Sequence, residues 1–90
     1  MAYRIEFSPA AEHQFKKLSR EIQLRLKPRL DGLMNNPFPR GVKKLSGEEN
    51  LYRLQMGDYR IIYQVQQKVL LVLVVKFGHR KEVYRRISGS

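Results

Sequence analysis

Ninety residues suffice for one domain, residues 1–90 here, and a chain of this size buries only slightly more than about 60% of the surface its unfolded form exposes. Eighteen Lys and Arg stand against eight Asp and Glu, a formal charge of +10, so the surface seeks polyanions: nucleic acid first, an acidic protein second, an anionic membrane last. The chain has no cysteine, which excludes disulfides, thiolate metal sites and thiol nucleophiles. With 42% apolar residues a folded core is within reach. The longest apolar run, Val69 to Val75, is too short to span a bilayer, and the N-terminus lacks a signal-peptide layout, so the expected location is the cytoplasm.

Tyr3, Ile5 and Phe7 alternate with Arg4 and Glu6, the period-two pattern of a half-buried strand. Ser8 before Pro9 reads as an N-cap and first-turn proline. Ala11, Phe15 and Leu18 follow at helical spacing, predicting a helix from about 9 to 18. Ser19 caps a second helix with the stripe Ile22, Leu26, Leu30, Leu33 and Met34; Pro28 falls inside that stripe, where a kink or break is expected. Asn35 to Pro39 ends the helical half, and a loop carrying Arg40, Lys43 and Lys44 leads into a sheet. Tyr52 to Met56, a Gly57-Asp58 turn of the Gly-first type and Tyr59 to Gln66 predict a hairpin. After a Gln67-Lys68 turn, Val69 to Val75 predicts a central strand. A basic tail begins at Gly78 and ends in Ser88 to Ser90, expected to fray. The reading is α+β: two N-terminal helices on one face of a mainly antiparallel sheet, in the order βααβββ.

The two-residue turn pairs Met56 with Tyr59, Gln55 with Arg60 and Leu54 with Ile61. One face of the hairpin then collects Tyr52, Leu54, Met56, Tyr59, Ile61 and Tyr63 for the core. The other places Arg53, Gln55 and Arg60 within reach of one another, away from the helices. A solvated outer face is the competing reading of such an arginine pair. The tail adds His79, Arg80, Lys81 and Tyr84: an imidazole that can take or give a proton, a guanidinium that grips phosphate and a phenol that stacks on a base or passes a proton. Asp31 and Asp58 are the sole aspartates and lack a carboxylate neighbour at ligand spacing, so a two-metal nuclease site is not expected, and neither metal nor cofactor is called for. Attack by RNA's own 2′-hydroxyl needs only an acid, a base and cationic stabilisation.

The segments YRIEFSPA (3–10), GVKKLSG (41–47), LYRLQMGDYRIIYQV (51–65) and GHRKEVYR (78–85) resemble the RelE branch of the RelE/ParE toxin superfamily over nearly the whole chain. The resemblance implies a toxin of a type II toxin-antitoxin pair: a ribosome-dependent, metal-independent mRNA endoribonuclease (mRNA interferase) that inhibits translation. It also implies a RelB-like antitoxin partner, through which the complex binds operator DNA. By position, Arg60 and Arg80 match the family's phosphate-binding and transition-state arginines, and Tyr84 its C-terminal tyrosine. Arg53 stands where a basic residue faces the RNA, with Lys43, Lys44 and Lys81 as further RNA contacts. Gln55 departs from the pattern, which has a lysine there as general base; the base role passes in expectation to His79 or Tyr84. Two rival functions share the resemblance: a ParE-like toxin that binds DNA gyrase without cleaving RNA, and a cleavage-deficient RNA- or ribosome-binding module.

Overall fold

The computed structural model describes residues 2–45 and 50–79. Strand β1 (Arg4–Phe7) leads into helices α1 (Pro9–Lys17) and α2 (Arg20–Asn35); then come β2 (Lys43–Lys44), β3 (Leu51–Met56), β4 (Tyr59–Gln66), a short 3-10 turn (Gln67–Val69) and β5 (Leu71–His79). The five strands form one sheet in the order β1-β5-β4-β3-β2, antiparallel except where β1 runs parallel to β5. The α+β reading therefore holds, with one strand more than expected: Lys43 and Lys44 pair with Arg53 and Tyr52 at the sheet's edge instead of lying in a loop.

Local chemistry explains the joints. Ser8 Oγ accepts the Ala11 N–H at 3.1 Å, capping α1, and donates to the Val75 carbonyl at 2.6 Å, so one hydroxyl starts the helix and ties it to β5. Ser19 caps α2 through the Ile22 N–H, and Gln23 Nε2 reaches back to the carbonyls of Phe15 and Leu18, closing the end of α1. Of the kink or break expected at Pro28, no break occurs: helix α2 runs continuously from Arg20 to Asn35, and Pro28 is not in the apolar stripe where it was expected. It lies on the exposed side of the helix, so the carbonyl it leaves unpaired, on exposed Leu24, faces water.

The core forms where the helices meet one face of the sheet. Ala11, Leu26, Leu30 and Leu33 pack on Leu54, Met56, Ile61, Tyr63, Val65, Val72, Val74 and Phe77. Phe7, Phe15 and Phe77 make a triangle of rings with centroids 5.5–5.6 Å apart. Buried Tyr63 donates its hydroxyl to the Pro37 carbonyl at 2.8 Å, pinning the chain after α2, and burial pushes its pKa well above the ordinary phenol value.

The hairpin has the predicted register, with Met56 opposite Tyr59 and a positive φ of 59° confined to Gly57 in the turn. The last strand differs from its reading. Val69 is exposed in the 3-10 turn, Leu70 takes a left-handed φ of 51°, and β5 begins at Leu71 and runs to His79. Its pairing with β4 contains a bulge: Ile62 faces Lys76 while Tyr63 faces Val74, leaving Val75 as the extra residue.

Candidate functional site

Directly opposed residues share a face, so the ladders place the outer side chains without further assumption. Lys43, Arg53, Ile62 and Lys76 form one row across β2, β3, β4 and β5; Gln55, Arg60 and Gly78 form the next. Within these rows neighbours stand about 5 Å apart at Cβ and diagonal neighbours about 7–8 Å, so Arg53, Arg60 and Lys76 surround Ile62 within easy reach of a shared ligand. Among the described residues the helices pack on the opposite face of the sheet.

The face is a groove and not a flat surface. A hollow of about 430 Å³ is lined by Leu45, Leu51, Ile62 and Val75 along its floor and by Arg53, Arg60, Lys76 and Gln14 around it, with Phe77 and Gly78 at one end. Gln14 comes from α1, where its Oε1 accepts the Phe77 N–H at 2.8 Å. It thereby serves the β5 edge that β1, paired only as far as Val74, leaves open. Gln55, by contrast, is exposed and donates its amide to the Gly57 carbonyl at 2.8 Å, so it braces the turn at the rim.

Among the described residues no carboxylate lines the groove, and the ion pairs of Arg4 with Glu6 and Lys16 with Glu12 lie elsewhere. Arg60 is half-buried, and its Nε–H is enclosed without an acceptor among the described residues. A buried donor left unsatisfied costs about 1–3 kcal/mol, more on a charged group, so an anionic oxygen entering here recovers that energy. An apolar floor beneath three cations suits a nucleobase or ribose lying flat with its phosphate at the rim.

Two expected site residues fall elsewhere. Lys44 pairs with Tyr52 and so points to the opposite side of the sheet from Lys43. His79 pairs with Tyr59, their rings meeting edge-on at 4.8 Å, one position beyond Arg60 and Gly78 and hence on the helix side. There it borders a second hollow of about 290 Å³ with Gln14, Lys17, Leu18 and Tyr59, and it does not join Arg53 and Arg60. Arg80, Lys81, Tyr84 and the tail to Ser90 lie outside the described residues, as does the Ser46–Gly47 end of the GVKKLSG segment. Sequence reading missed Lys76, hidden at the end of an apolar run, and Gln14. The latter had a signal: a polar residue on the Ala11, Phe15, Leu18 face.

Fold and groove define a class: a small basic domain that turns its helices to one side of a sheet and keeps a cationic groove on the other. The family model described as "ParE toxin of type II toxin-antitoxin system, parDE" matches residues 5–84. The mRNA interferase toxin RelE of Escherichia coli is 31% identical over 88 residues, covering 93% of this chain and 92% of that one. Among solved structures, the archaeal RelE-RelB complex from Pyrococcus horikoshii superposes with a TM-score of 0.78 at 32% identity, covering 89% of this chain and 97% of that chain. The intact E. coli RelBE toxin-antitoxin complex gives 0.78 at 28% identity, covering 87% and 96%. The chain belongs to the ParE toxin family of type II toxin-antitoxin systems, and within the RelE/ParE superfamily it is a RelE-type toxin.

Proposed function

We propose that this toxin is a metal-independent mRNA endoribonuclease that cuts in the ribosome, the groove on the outer face of β3, β4 and β5 holding the scissile phosphate. The observation that carries the reading is Arg60: a half-buried guanidinium whose enclosed Nε–H has no acceptor among the described residues, flanked by Arg53 and Lys76 above an apolar floor. Arg53 and Arg60 hold the phosphate and the charge that develops on it, and Lys43 extends the track along the strand. Arg80, Lys81 and Tyr84, carried from the resemblance, complete the set. Among the described residues no three His, Cys, Asp or Glu side chains converge on one point. Attack by the substrate's 2′-hydroxyl is the chemistry such residues serve, giving a 2′,3′-cyclic phosphate and a 5′-hydroxyl.

A RelB-like antitoxin, as in the E. coli and P. horikoshii complexes, is the proposed neutralising partner. Operator DNA would be bound through it, and the cytoplasm is where both would meet mRNA. A second reading, a gyrase-binding toxin, is favoured by the ParE description of the matching family model. One comparison separates them: purified toxin with programmed ribosomes and labelled mRNA, beside a DNA gyrase supercoiling assay. Cut mRNA bearing 5′-hydroxyl ends, with gyrase unaffected, is the expected result; inhibited gyrase and intact mRNA overturn it.

A further inference from the structure

Resting on that reading, we infer that Gln14 is a specificity contact of the groove. Its carboxamide selects a nucleobase that presents a carbonyl beside the scissile phosphate, guanine or uracil, over one that presents an exocyclic amine, adenine or cytosine. The polar side chains that line the groove among the described residues are Gln14, Arg53, Arg60 and Lys76. Three of the four are cations and seek phosphate; Gln14 is neutral and suits the uncharged edge of a base. The apolar residues Val75 and Phe77 line the same hollow. Gln14, Phe77 and Gly78 also line the second hollow, so the amide stands at the lip where the groove meets the β5 edge.

A free glutamine reads either kind of base, because one end of its amide accepts and the other donates. Gln14 is not free. β1 pairs with β5 only as far as Val74, which leaves the Phe77 N–H on an open edge, and Gln14 Oε1 accepts it at 2.8 Å. Only the oxygen can answer an N–H, so this bond also fixes which end of the amide faces β5. Ser8 ties the same stretch of strand to the start of α1, its Oγ donating to the Val75 carbonyl at 2.6 Å. The donor and acceptor pair that glutamine offers to adenine therefore lacks its acceptor. What remains for a ligand is the Nε2 amine, which has no acceptor among the described residues. Two N–H donors match O6 and N7 of guanine or O4 of uracil, and they meet the amino groups of adenine and cytosine donor against donor.

The test is a competition on programmed ribosomes between mRNAs that differ at one nucleotide on either side of the cut, guanosine against adenosine and uridine against cytidine. It is read as the ratio of kcat/KM values. Wild-type toxin should favour the carbonyl base at one of these positions by on the order of 10-fold, the worth of one hydrogen bond set against an unmatched donor. Gln14→Glu keeps an oxygen for the Phe77 N–H and exchanges the donors for an acceptor. It should fold as wild type by circular dichroism and reverse the preference toward adenosine and cytidine. Its added negative charge should slow every RNA alike, which the ratio cancels. Gln14→Met, which has neither end of the amide, should show no preference. A preference that survives either substitution, or a wild-type toxin indifferent to the base, would leave Gln14 as a brace of the β5 edge and overturn the inference. If wild-type toxin cuts none of these RNAs, the nuclease reading itself fails and this inference with it.

Discussion

Arg60 stands directly opposite Gly78 across the β4–β5 ladder, so the ladder position facing Arg60 carries no side chain. A Cβ built at Gly78 would meet nothing within 4 Å, and its φ is not in the left-handed region, so neither packing nor backbone shape requires glycine there. Gly78→Ala should therefore fold normally and gain about 0.5 kcal/mol from lower unfolded-state entropy. Gly78→Leu should fold as well but cleave on the order of 10-fold more slowly, because its side chain takes the room of the substrate beside Arg60. Thermal melts and single-turnover rates for the two variants check this.

His79 is one residue from Gly78 in sequence but projects to the other side of the sheet, against the Tyr59 ring. His79→Ala should cost about 0.5–1.5 kcal/mol of stability through the lost aromatic pair and keep the saturating cleavage rate of the folded protein. Denaturant melts and single-turnover kinetics at a temperature where both proteins are folded make the comparison; a rate loss as large as that of an Arg60 variant would restore His79 to the chemistry.

The hairpin illustrates what was legible in the sequence. A Gly-first turn between alternating strands fixes the register, and register alone sorts Arg53 and Arg60 from Leu54 and Ile61. Lys76 was not legible, because in Val-Val-Lys-Phe nothing marks where alternation slips; the bulge follows from how α1 and β4 hold β5 from either side. The face of His79 was lost with it, since a strand read as ending at Val75 gives no phase to a residue four positions on. Lys43 and Lys44, a two-residue edge strand, are too short to show any period.

Pro28 lies in the middle of an unbroken helix with its ring exposed. Pro28→Ala should restore a backbone hydrogen bond and stabilise the protein by about 1–3 kcal/mol, less the roughly 0.4–1 kcal/mol that proline takes from the unfolded chain. A raised melting temperature is the expected reading; no change would mean the helix bends enough to relieve the proline clash.

Tyr63 donates to the Pro37 carbonyl from a fully buried position, and its pKa is raised by that burial. The sign follows directly: its contribution is fully present below the unfolded phenol value of about 10, and it is lost as pH rises above that because the unfolded state ionises first. Tyr63→Phe should cost about 1–3 kcal/mol at neutral pH by orphaning the carbonyl and should flatten the loss of stability above about pH 10. Urea melts from pH 7 to 11 on both proteins decide it.

The central claim is that the groove around Arg60, and not the basic surface at large, carries the cleavage. The most direct measurement is the single-turnover rate at saturating toxin on programmed ribosomes for Arg60→Ala beside Lys44→Ala, two variants that each remove one positive charge but from opposite faces of the sheet. Arg60→Ala should lower that rate by on the order of 10²-fold, as loss of one preorganised charge stabiliser does, while Lys44→Ala should keep it, with at most a smaller dependence of binding on salt. Equal losses in the two variants, or an Arg60→Ala protein that cuts at the wild-type rate, would contradict the account.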